Sequence, residues 1–91
     1  MQASELSGRA QMIAKIITAA QETGRALERA GVSRTERVDL WQQLEDQRNE
    51  IARLTRHTRQ EVEYFLMGED KAMARDLERR FGIVAGVHIP A

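Results

Sequence analysis

Residues 30–36 read A-G-V-S-R-T-E, and this turn constrains the fold more than any other stretch of the chain. Gly31 has no Cβ, so it can take the left-handed conformation that closes a helix. Ser33 can accept a hydrogen bond from an orphaned backbone N–H, and Glu36, three residues on, completes a capping box. A stop signal followed two residues later by a start signal leaves a short connection. Short connections between long helices favour antiparallel neighbours. The turn therefore predicts a long antiparallel helical hairpin.

The first helix is expected over about 4–30. Leu6, Ala10, Ile13, Ile17, Ala20, Gly24 and Leu27 are spaced alternately by four and three, which is a heptad seam of the coiled-coil kind. Its small residues would let a facing helix approach closely. Gly24 costs about 1 kcal/mol relative to Ala in a helix interior. A backbone packed against it would account for that cost, so Gly24→Leu is expected to disrupt a close helix contact. Met12 and Ile16 widen the stripe, as in a bundle.

The second helix is expected over 34–66, with Val38, Leu40, Trp41, Leu44, Ile51, Leu54, Val62, Phe65 and Leu66 as its apolar face. Arg48, Thr55 and Thr58 interrupt this face at core-type spacing. Arg48 is read first as snorkelling past the core to an acidic partner such as Glu45. The alternative is that it fixes register or meets another subunit. Trp41, the one tryptophan, is read as a core anchor, with a role in an interface as the alternative. Gly68 then breaks the pattern. Glu69 or Asp70 can cap a short third helix over 71–81, with Met73, Leu77 and Phe81 inward and Gly82 as its stop. Without that break the second helix would run on to Phe81 as a rod of about 72 Å.

The stretch 83–91 changes character. I-V-A-G-V-H-I is apolar and β-branched and would be an aggregation hazard in water. It is expected to be covered by the bundle, by its copy in another subunit or by a partner to which it adds as a strand. The expected organisation is thus a helical domain over 1–82 and an extended apolar C-terminal tail over 83–91, all-α in class. With 91 residues, a two-helix hairpin buries little apolar surface by itself. A homodimeric bundle or a protein partner is expected for that reason.

Charge and residue types exclude several functions. Fourteen basic residues offset fourteen acidic ones. That balance supplies no electrostatic drive toward nucleic acid or an anionic membrane. Without cysteine there is no disulfide and no thiolate metal site. No basic segment precedes an apolar core, and no run reaches the roughly 20 apolar residues of a membrane span. The expected location is cytoplasmic. Ser4, Ser7 and Ser33 stand at helix starts, where capping explains them. His57 and Glu61 are read as an exposed polar pair, since two ligands make no metal site. The acid pairs Glu61 with Glu63 and Glu69 with Asp70 lack an apolar pocket that would raise a pKa. No enzyme activity, cofactor or metal is expected.

The function expected is a small interaction module of the adaptor, chaperone, anti-activator or inhibitor kind. Its candidate contact residues are Trp41, the basic cluster Arg53, Arg56, His57 and Arg59, and the tail residues Ile83, Val84, Val87 and Ile89. The cluster crowds the outer face of the second helix and would suit an acidic protein face or an RNA backbone. A second reading comes from residues 26–38. A-L-E-R-A-G-V-S-R-T-E-R-V resembles the turn of a bacterial helix-turn-helix. The resemblance implies a nucleic-acid-binding regulator working through 26–40 or through the arginine face 53–60. It departs from the pattern at Arg37, where a recognition helix buries an aliphatic residue; Val38 stands one place late.

Overall fold

The computed structural model describes residues 7–84. Within them the chain forms four helices and no strand: α1 (Gly8–Leu27), α2 (Arg34–Thr55), α3 (Arg59–Leu66) and α4 (Lys71–Phe81). The class is all-helical, as the sequence predicts.

Helix ends follow local chemistry. Ser7 accepts from the backbone N–H of Ala10 and starts α1. Gly31 has φ 85° in the turn, and Ser33 and Glu36 form the reciprocal capping box that opens α2. Asp70 accepts from the Met73 N–H and starts α4, and Gly82 ends it at φ 72°. The expected third helix over 71–81 is therefore α4.

The expected single helix over 34–66 is corrected. It is two helices, α2 and α3, separated at residues 56–58. Arg56 takes a left-handed conformation, φ 61°, and its N–H bonds the Ala52 carbonyl. Thr58 then accepts from the Glu61 N–H while the Glu61 carboxylate accepts from the Thr58 N–H. Thr58-x-x-Glu61 is the same capping box as Ser33-x-x-Glu36. Its hydroxyl serves the backbone rather than standing in a helical face.

The core gathers Ile13, Ile17 and Ala20 of α1, Leu44, Ile51 and Leu54 of α2, Val62 and Phe65 of α3, Met73 and Leu77 of α4, and Ile83. The end of α2 is deep in it: Thr55 is fully buried. The last carbonyls of a helix lack partners within it, and burying them unbonded is costly. Here other helices supply the donors. The Arg9 guanidinium of α1 bonds the Leu54 carbonyl at 3.1 Å. The Arg80 guanidinium of α4 bonds the Thr55 carbonyl at 2.6 Å. The start of α1 and the end of α4 thus converge on the end of α2.

Gly24 also differs from expectation. Burial along α1 falls on Ala10, Ile13, Ile17, Ala20 and Thr23. Thr23, not Gly24, holds the covered position, with its hydroxyl returned to the Ala19 carbonyl at 2.9 Å. A Cβ built on Gly24 meets nothing within 4 Å. A strict heptad line stays under a partner only when helices supercoil over their whole length. In this short pair the covered stripe turns round α1 and leaves Gly24 beside open space.

Candidate docking groove

The open space beside Gly24 is a groove of about 620 Å³. It lies where the end of α1 meets the start of α2 and the end of α3. Its apolar lining is Ala20, Gly24, Leu27, Trp41, Leu44, Leu66 and Met67. Ala20 and Leu44 also belong to the core, so the groove is a continuation of the core that no described element covers. Trp41 is 46% exposed and Met67 58%, and Val38 on the same stretch of α2 is 62% exposed. The reading of Trp41 as a core anchor is therefore corrected: it stands at the groove. Val38 and Arg37 are both exposed as well, so neither makes the buried contact that a recognition helix would make at this position.

Arg48 lines the same groove. Its expected acidic partner, Glu45, is taken by Arg59 at 2.5 Å. The Arg48 guanidinium instead stands over the Trp41 ring, 5.6 Å from its centroid, a cation–π arrangement. Its Nε is buried and has no hydrogen-bond partner. Arg25 and Arg37 also line the groove and, like Arg48, form no ion pair among the described residues. Of the two glutamates in the lining, Glu63 already faces Arg59 at 3.6 Å.

The basic cluster is divided by the helix break. Arg53, on the last turns of α2, is paired with Glu50, and that pairing raises its pKa. Arg56 is the exposed left-handed cap. Arg59 opens α3 and is tied to Glu45, Glu63 and, at 3.4 Å, Asn49. These residues do not share one helical face.

His57 does pair with Glu61, but the histidine is not exposed. Its side chain is 15% exposed, and its two ring nitrogens meet two carboxylates. Nδ1 is 3.1 Å from Glu61 and Nε2 is 2.7 Å from Asp76. The histidine ties α3 to α4. Asp76 also accepts from Arg80 at 2.9 Å and Arg79 at 2.9 Å. Arg80 first, then His57 and Arg79, hold the Asp76 carboxyl well below the usual carboxylate range. The Thr58 N–H first, then His57, lower that of Glu61. Among the described residues no three His, Cys, Asp or Glu side chains are placed to hold a metal ion.

Of the tail residues, Ile83 is buried at 6% exposure and belongs to the core, while Val84 is exposed. Val87 and Ile89 lie outside the described residues. No described helix is long and apolar enough to cross a membrane. Fold and groove together define a small all-helical protein with an open apolar trough. No protein-family model matches the chain, and neither does a curated protein or a solved structure.

Proposed function

We propose that this chain is a non-enzymatic protein–protein interaction module, an adaptor or inhibitor in kind, and that it works by holding a partner in the groove around Trp41. One observation carries this reading. Trp41, Met67 and Leu27 form an apolar surface continuous with the core, and nothing within the described chain covers it. Contiguous exposed apolar surface rimmed by charge is characteristic of interaction sites. Tryptophan and arginine are the residues that most often dominate binding energy at such sites.

A photo-crosslinking residue at position 41 or 67 tests this in cells. It is expected to trap a discrete protein adduct, while the same residue at exposed position 75 on α4 traps none. An adduct of twice the chain mass would make the partner a second copy. Equal labelling from all three positions, or an adduct with nucleic acid, would overturn the reading.

A further inference from the structure

The groove carries more than an apolar face, because a cation is placed inside it. Resting on the docking reading above, we infer that its occupant is an amphipathic helix of a partner protein, bearing a carboxylate that pairs with Arg48.

Shape argues for a helix. The groove lies between α1 and α2 and is bounded on one side by the end of α3 at Leu66 and Met67. A trough between two helices accepts the apolar stripe of a third, read as anchors at i, i+3, i+4 and i+7. Gly24 suits that use. Its missing side chain exposes backbone to the groove with nothing inside 4 Å. A docked helix could approach α1 closely there, as the small residues of helix interfaces allow.

Charge argues for a carboxylate. Arg48 has no ion pair among the described residues, its guanidinium carbon stands 5.6 Å from the Trp41 ring centroid, and its Nε, unlike its terminal nitrogens, is buried without a partner. Covering an unpaired guanidinium with an apolar partner is costly, and a bidentate carboxylate on its two terminal nitrogens is the natural acceptor. Arg25 and Arg37 add two more unpaired cations to the lining. A second copy of this chain is disfavoured by the same count: a self-complementary interface would bring these arginines toward their own copies, with Glu28 the one carboxylate of the lining not already paired.

The test uses the intact chain and three labelled peptides of about five helical turns. Each carries leucines at the anchor spacing, and they differ only in having Glu, Gln or Lys beside the leucines. Binding is read by peptide anisotropy. The Glu peptide is expected to bind tightest and the Lys peptide weakest. Arg48→Met is expected to leave melting unchanged and to weaken the Glu peptide about tenfold, the scale of one charge-assisted contact. Gly24→Leu is expected to keep the helices folded and to block all three peptides by filling the groove.

Three results would overturn the inference. Equal binding of the three peptides to wild type and Arg48→Met would remove the carboxylate and leave the groove as a docking site. No binding above a Trp41→Ala control would remove the helix itself, and the crosslinking experiment would then decide the docking reading separately. A wild-type mass in solution of twice the chain, returning to one chain on Gly24→Leu, would seat a second copy there instead.

Discussion

The two ends of the α1–α2 pair are made from the same two helices and differ in almost every respect. At one end, Ile13, Ile51, Met73 and Leu77 are at most 1% exposed. The carbonyls that end α2 are bonded by arginines from α1 and α4. Toward the other end Trp41 stands half in solvent, and Arg48, one heptad further along α2, has no acceptor for its Nε. The difference comes from the third and fourth helices. Both fold back over the end of α2, because the chain breaks at Arg56 and reverses through the Thr58 cap. The end of α3 reaches only the side of the groove, at Leu66 and Met67, and no described element covers it. An all-helical chain of this size can close one end of a helix pair with its own residues and leave the other for something else.

That contrast predicts a ranking of mutational effects. The largest belongs to the closed end. Leu77→Ala removes a fully buried side chain and is expected to destabilise the fold by about 2–5 kcal/mol. Trp41→Ala, a larger truncation, is expected to cost much less stability while abolishing docking. Denaturant melts of the two variants, compared directly, check this. A Trp41→Ala loss as large as that of Leu77→Ala would mean that the ends are not different in kind.

A smaller effect is expected at the break that makes the closed end. Thr58→Ala removes the hydroxyl that bonds the Glu61 N–H and is expected to cost about 1 kcal/mol, the usual loss for a helix N-cap. Amide exchange should then quicken in α3 before it changes in α1. Uniform quickening would mean that α3 opens only together with the rest of the fold.

The smallest effect at neutral pH, and the most specific, concerns Asp76. Its carboxyl titrates below its unfolded value, so its contribution is complete above the ordinary aspartate pKa of about 3.9. The contribution is lost as pH falls through that region toward the folded pKa, because the unfolded state then binds the proton more readily. Asp76→Asn is expected to lower the melting temperature at pH 7 and to flatten its decline between neutral pH and pH 3. Parallel decline in the two proteins would show that Arg80 and His57 do not act through this carboxylate. The groove, which holds none of these groups, should bind its partner equally well in the variant.

Much of this architecture is readable from the letters. The turn at Gly31, the capping box at Ser33 and the short helix between Asp70 and Gly82 all follow from residues within four positions of each helix end. Such bonds are local, so a sequence specifies them. The break at Thr58 was equally available, since Thr58-x-x-Glu61 repeats the pattern of Ser33-x-x-Glu36. Leu54 and Val62, eight residues apart, keep a helical spacing across the polar stretch between them, and that spacing hid it.

Which faces are covered is a different kind of question, and there only the tertiary structure decides. Whether Thr23 or Gly24 is covered depends on where the contact stripe of α1 runs, and no residue near them in sequence sets that. Trp41 and Arg48 stand one heptad apart at core-type spacing, but α3 borders their groove only at its side and no described helix covers it. His57 finds Asp76 nineteen residues away, across a reversal that depends on α3 and α4 packing together. Caps are decided by bonds to adjacent backbone. Burial is decided by what the rest of the chain can reach, and here it reaches one end of the helix pair.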